Sequence, residues 1–143
     1  MLEEIKRLIK EKDVCVLATV SEGSPHCSLM NYVVDDHCKE FYMVTKKNTR
    51  KYKNFTENKS VSILVDTREE YTGPSRAHAK AITVTGVFEK MEDEKKAIVK
   101  LKLLQRHPYM NEFIESKDSE IFCVKISSFL LLSGLTDAYY ESV

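Results

Sequence analysis

Three β-forming runs lie within the first 45 residues, and the connections between them are too short for anything but antiparallel neighbours. Val14 to Val20 is a nearly unbroken apolar, β-branched run of the kind that suits a strand buried on both faces. Ser21-Glu22-Gly23-Ser24-Pro25 is a turn cluster, after which His26 to Val34 resumes as a strand. Asp35-Asp36-His37 turns the chain again before Phe41 to Thr45. The expectation is an antiparallel meander.

Around it the periodicity changes. Leu2, Ile5, Leu8 and Ile9 recur at helical spacing and predict an N-terminal helix packed on the core. Lys46 to Asn58 is polar and reads as a short helix, with Asn48 or Thr49 as its N-cap. Val61 to Asp66 is a fourth strand, and Thr67 to His78, which contains Gly73 and Pro74, is a loop. Ala79 to Lys90 alternates with Ile82, Val84, Gly86 and Phe88 on one face, and Gly86 marks a bend or bulge. Asp93 opens a helix with Ala97, Ile98, Leu101 and Leu104 on one side. His107-Pro108 breaks it, Tyr109 to Glu115 adds a short helix, and Ile121 to Leu132 is a sixth strand. The pattern predicts an α+β fold: a single domain over residues 1–143, with a six-stranded, closed or nearly closed antiparallel barrel and flanking helices.

Charge and cysteine usage bound the function. Twenty-two basic and 22 acidic residues leave no net charge, which argues against a dedicated nucleic-acid binder but not against a local anion site. Cys15, Cys27, Cys38 and Cys123 are scattered, without metal spacing, and read as thiols of a reducing compartment. The N-terminal MLEEIKRLIKEK has no apolar stretch of leader length, and no run approaches the ~20 residues of a membrane span. The expectation is a soluble, cytoplasmic protein with no membrane partner.

The most informative local feature is Lys46-Lys47-Asn48-Thr49-Arg50-Lys51-Tyr52-Lys53, with five basic residues and no acid in an otherwise neutral chain. It lies where a strand ends and a helix begins. There, free N–H groups, the positive end of the helix dipole, Arg50, Lys51 and the Thr49 hydroxyl would make a phosphate site. The alternative reading is a solvated lysine face. His26, His37, His78 and His107 show no metal spacing and read as surface or turn residues, and no metal site is expected. No nucleotide-binding glycine loop or hydrolase elbow is present, and no carboxylate pair stands out, so any chemistry must come from a bound cofactor.

The order VCVLATV, EGSPH, CSLMNYVV, EFYMVT, NTRKYKNFTENKSVSILV resembles the pyridoxamine-phosphate-oxidase-related, FMN-binding split-barrel family, best over residues 2–66. ITVTGVFEKMEDEKK and IFCVKISSFLLLSG are similar to it with less specificity. The resemblance implies that Thr49, Arg50 and Lys51 hold the flavin phosphate. It places Val44 and Thr45 against the cofactor, and Ser28, Leu29, Met30 and Asn31 along the isoalloxazine ring. It also implies a homodimer with FMN shared across the interface, and an oxidoreductase of undefined small-molecule substrate. The alternatives on the same fold are an electron carrier or redox and stress protein without its own substrate, and a haem or deazaflavin binder. Two departures count against vitamin oxidation: Ser28 stands where true pyridoxamine phosphate oxidases have arginine, and the chain has no tryptophan for their substrate-binding C-terminal portion.

A dimer is expected on independent grounds. VCVLATV, FYMV, VSILV and FLLL offer more apolar strand surface than one small barrel interior can take up. Phe129 to Leu132 is the candidate for a divided role, one edge in the core and the other towards a partner.

Overall fold

The computed structural model describes residues 1–143. Helix α1 (Leu2–Glu11) leads into strands β1 (Val14–Ser21), β2 (Ser24–Asn31), β3 (Val33–Val34) and β4 (Glu40–Lys46). Helix α2 (Arg50–Glu57) precedes β5 (Ser60–Asp66), and two 3-10 turns occupy the expected loop before β6 (Lys80–Glu89). Helices α3 (Asp93–Arg106) and α4 (Asn111–Glu115) then precede β7 (Ser119–Ser133) and β8 (Asp137–Ser142). The result is a mixed α+β, split-barrel fold with eight strands rather than the six expected. Strand β8 is a short alternating stretch with no apolar run, and β3 is a two-residue ladder; neither leaves a clear mark in sequence.

All strands pair antiparallel in one sheet, ordered β2-β1-β5-β6-β7-β4-β3, with β8 added on β7. The two ends of that path, β2 and β3, are consecutive in the chain, separated only by Tyr32. The sheet therefore curls back on itself, with β2 paired to β1 and β3 paired to β4. The expected meander is present, but it opens at Tyr32. Beyond that point β2 and β4 are not paired with each other.

Twenty-two buried residues fill the interior of the curl. Ile5, Leu8 and Ile9 of α1 close it at one end and Phe55 of α2 at the other. Phe55 stacks on Phe88 at 4.4 Å and tilts against Phe122 at 4.6 Å. A second cluster of seven residues lies outside the curl, where Val99 and Leu103 of α3 and Ile114 of α4 cover Tyr42, Val44 and Cys123.

Two expectations about faces are corrected. Strand β1 is not buried on both sides: Cys15, Leu17 and Thr19 point inward, whereas Val14, Val16, Ala18 and Val20 are only half-buried outside. The strand covered on both faces is β4, with Phe41, Met43 and Thr45 inside and Tyr42 and Val44 beneath α3 and α4. On α3 the buried residues are Val99 and Leu103, while Ile98 and Leu101 are 61 % and 69 % exposed. Apolar residues surround this helix, so periodicity alone cannot choose its inner face; the surface of β4 and β7 does.

Gly86 sits at the expected irregularity. Thr85 faces Ser128 and Gly86 faces Ile126, so Ser127 of β7 is the extra residue. Ile126 and Phe129, three apart, consequently both face inward. A Cβ on Gly86 would meet Val124 Cγ1 at 2.6 Å and the Lys125 carbonyl oxygen at 2.7 Å. Gly86→Ala should therefore cost about 1–3 kcal/mol, read as a lower urea midpoint at unchanged slope. An unaltered midpoint would show that β6 and β7 can part there without cost.

Candidate functional site

Helix α2 is held by its buried face. Phe55 is fully enclosed, and the Asn54 amide donates to Thr19 Oγ1 at 3.1 Å in the interior. With that face fixed, the helix N-terminus comes to rest at the end of β4. Thr49 is the N-cap, with Oγ1 accepting from the Tyr52 amide at 3.4 Å, donating to the Lys46 carbonyl at 2.8 Å and lying 3.2 Å from Thr45 Oγ1.

Two cations follow the cap. Arg50 is exposed and reaches Ser24 Oγ of β2 at 3.4 Å. Lys51 is half-buried, one turn before Phe55 on the same helical stripe. Neither has an acidic partner within ion-pair distance, in contrast to Lys46 and Lys47, which pair with Asp118 and Glu120. Burial alone pushes the Lys51 ammonium below the ordinary lysine range, and no carboxylate offsets it. A helix N-terminus followed by two unpaired cations is a donor set that fits a phosphate dianion.

The remaining expected site residues line the split beside this group. Between Met43 and Lys46, β4 is paired to β7 on one side, while on the other β3 reaches only Phe41 and Tyr42. β2 is paired only to β1. Two strand edges with unpaired backbone groups thus flank the opening, and Ser28, Leu29, Met30, Asn31, Val44 and Thr45 lie along them. Their side chains diverge. Ser28 is half-buried, and Met30 belongs to the inner core. Leu29 is 76 % exposed on the outer face, and the Asn31 amide lies 3.0 Å from Met110 Sδ. Val44 is packed beneath α3, so only its backbone faces the split.

His26 shares a face of β2 with Ser24, Ser28 and Met30, directly opposite Thr19, and therefore borders the site. Alternation from Met30 was the signal that could have found it. His107 is fully buried, not a surface residue: Nε2 donates to the Tyr32 carbonyl at 2.9 Å, and Nδ1 lies 3.3 Å from Tyr109 Oη. His78 lies in the loop between β5 and β6, which is tied to the residue that follows α1 by Lys12–Glu70 at 2.7 Å, at the opposite end of β1 from Thr49.

Sequence reasoning also missed a polar network outside the curl. Cys123 donates to Glu40 at 3.0 Å, Tyr42 donates to it at 2.9 Å, and Lys95 donates at 2.7 Å, with Glu89 close by. Burial raises the Glu40 carboxyl, but these donors outweigh it and hold the group below the usual range. Burial, followed by Glu40, pushes the Cys123 thiol up, so it stays protonated at neutral pH. The Lys95 ammonium pairs with Glu40 and leaves Glu89 without an ion-pair partner.

Comparison with known proteins places the architecture. The family model described as pyridoxamine 5'-phosphate oxidase matches residues 1–131. A heme-binding protein from Mycobacterium smegmatis superposes with a TM-score of 0.87 at 18% identity, over 98% of this chain and 57% of its own. The heme storage protein HutZ from Vibrio cholerae gives 0.73 at 20% identity, over 96% of this chain and 92% of its own. An FAD-binding protein from Mesorhizobium loti gives 0.73 at 18% identity, over 92% and 93%. No curated protein sequence matches the chain. No helix is long and apolar enough to cross a membrane.

The lowered Lys51 ammonium carries a stability cost. The unfolded chain binds that proton more tightly than the folded one, so burying it destabilises the fold at neutral pH. The cost fades as pH rises past the ordinary lysine range, where both states are neutral. Lys51→Met should raise the Tm of the cofactor-free protein at neutral pH by ~1–3 °C after solvent screening, while Thr49→Ala should lower stability by about 1 kcal/mol through the lost cap. A lower Tm for Lys51→Met would show that the ammonium has a stabilising partner.

Proposed function

Since this chain belongs to the pyridoxamine 5'-phosphate oxidase family, we propose that it is an FMN-binding flavoprotein that acts as an oxidoreductase on a small molecule. The observation that carries this reading is the pair of uncompensated cations, Arg50 and Lys51, behind the Thr49 cap and beside the open edges of β2 and β4. The phosphate would accept from the free N–H groups at the α2 N-terminus and from the two cations, and from the Thr49 hydroxyl where it gives up the Lys46 carbonyl, relieving the buried charge of Lys51. The backbone of β4 at Val44 and Thr45 and of β2 at Ser28 to Asn31 would orient the ring. When bound, flavin supplies hydride or single-electron transfer, so no protein nucleophile is required.

The second subunit is part of the proposal. On the outer face, Leu29, Val16, Leu64, Thr83, Leu130 and Tyr140 stand opposite one another in succession across β2, β1, β5, β6, β7 and β8. Ala81, Leu132 and Ala138 form a parallel row. The helices pack elsewhere, and Leu130, Leu132 and Tyr140 are 41 %, 40 % and 64 % exposed. Phe129 and Leu131 alternate into the core, so the run has the divided facing expected of it. A largely apolar row of this kind, interrupted only at Thr83, fits a two-fold interface adjoining the split.

Haem is a second reading, favoured by the half-exposed imidazole of His26 on the Ser24–Ser28 face, where it could ligate iron. The absorption spectrum of the purified protein separates flavin from haem directly.

FMN should bind more tightly than riboflavin, because only FMN meets charge-assisted hydrogen bonds at the cap. Changing Arg50 and Lys51 together to Ala should cost about 2–5 kcal/mol of FMN affinity by calorimetry; equal binding of FMN and riboflavin by the unmodified protein would overturn the site. For the interface, sedimentation should show a dimer strengthened by FMN and weakened by Leu130→Glu. A flavin-loaded monomer at low micromolar concentration would contradict the shared site.

A further inference from the structure

A second cavity, about 450 Å³, opens between α1, β3 and α3, with no lining residue in common with the cleft at Thr49. It is in the range of pockets that enclose small molecules. Its floor is the free edge of β3. The Asp35 amide donates to the Glu40 carbonyl at 3.3 Å, so by the alternation of an antiparallel pair Val34 turns its own N–H and C=O away from β4. No strand lies on that side. The same edge is satisfied at Tyr32, whose amide donates to the Asp13 carbonyl and whose carbonyl accepts from His107, but Val34 has no protein partner there. Ile9 and Val33 add apolar surface. Of the cations on the rim, Lys12 pairs with Glu70, and Arg106 donates to the Glu11 carbonyl at 2.9 Å. Lys102 is half-buried and, like Lys10, has no acidic side chain within ion-pair distance. Asp35 accepts from the Lys39 and Glu40 amides within its turn, which leaves Asp36 as the free acid of the cavity.

We propose that this cavity binds a small molecule of the N-acyl amino acid class, laid along the edge of β3. Val34 presents one donor and one acceptor at the spacing of a strand, and a single amino-acid residue answers both. The ligand's amide N–H donates to the Val34 carbonyl, and its carboxylate accepts from the Val34 N–H and from the Lys102 ammonium. An apolar side chain rests on Ile9 and Val33. The two unpaired lysines disfavour a free ammonium on the ligand, which acylation removes, and Asp36 disfavours a second carboxylate. The inference is independent of the flavin reading, since it uses neither α2 nor the split between β2 and β4.

The test is titration of the full chain with N-acetyl-leucine and with its uncharged analogue N-acetyl-leucine amide, followed by backbone-amide NMR shifts. N-acetyl-leucine should saturate at millimolar concentration or below and move the Val34 amide resonance, and the uncharged analogue should bind about tenfold more weakly. Lys102→Gln should weaken N-acetyl-leucine about tenfold as well. Val34→Pro, which deletes the outward N–H and leaves the bonds to β4 intact, should weaken it about fivefold. Lys102→Gln lies on the rim and decides the matter alone where Val34→Pro fails to fold. No saturation by N-acetyl-leucine, an unmoved Val34 resonance, equal binding of the two probes, or unchanged affinity in Lys102→Gln would each overturn the inference.

Discussion

The architecture depends on one change of partner at Tyr32. Up to Asn31 the chain pairs with β1; from Val33 it pairs with β4. Tyr32 is pinned while this happens. Its amide donates to the Asp13 carbonyl at 3.0 Å, its hydroxyl to the Ile9 carbonyl at 2.6 Å, and its carbonyl accepts from His107 at 2.9 Å. Its ring lies 4.8 Å from Phe41. Three chain segments remote in sequence thus fix a single residue, and the strands on either side can diverge without unravelling. The divergence leaves edge backbone groups of β2 and β4 unpaired, which a compact barrel would otherwise satisfy with one another.

A second constraint concentrates charge beside that opening. Phe55 and Asn54 give α2 no freedom to rotate, so its N-terminus is set against Thr45 regardless of what its first turn carries. The first turn carries Arg50 and Lys51, at the helix end where cations are least favourable. Lys95, Lys96 and Lys100 of α3, by contrast, pair with Glu40, Glu120 and Glu115. Unpaired cations at a positive dipole end are a local frustration, and such sites are where function overrides local preference.

The sheet changes its facing along β7. Its inner face and the outer faces of β4 and the first half of β7 are filled by the chain's own helices and strands. The extra residue at Ser127 then changes the parity of β7, so that Leu130 and Leu132 emerge outward beyond the point where β4 gives way to β8. Gly86 permits that shift because only a residue without Cβ fits against Val124 and the Lys125 carbonyl.

Much of this was legible in the residues. Turn clusters, period-two alternation and the Thr49 cap give the strands, the α2 boundary and the bulge at Gly86 almost where they occur, because these are local preferences of backbone and side chain. Alternation even orders the faces of β6 and of Phe129 to Leu132. What local preference could not decide was which apolar surface finds which neighbour. The runs in β1 and β4 are equally apolar, yet only β4 is covered on both sides. The apolar residues of α3 surround the helix, and packing against β4 and β7 selected Val99 and Leu103 over Ile98 and Leu101. His107 reads as a turn residue because its acceptor lies 75 positions away. The gap between β2 and β4 has no sequence signature at all. Sequence determines what each segment prefers, whereas burial and hydrogen-bond satisfaction between distant segments determine which preferences are met, and the candidate site is built where those of β2 and β4 are not.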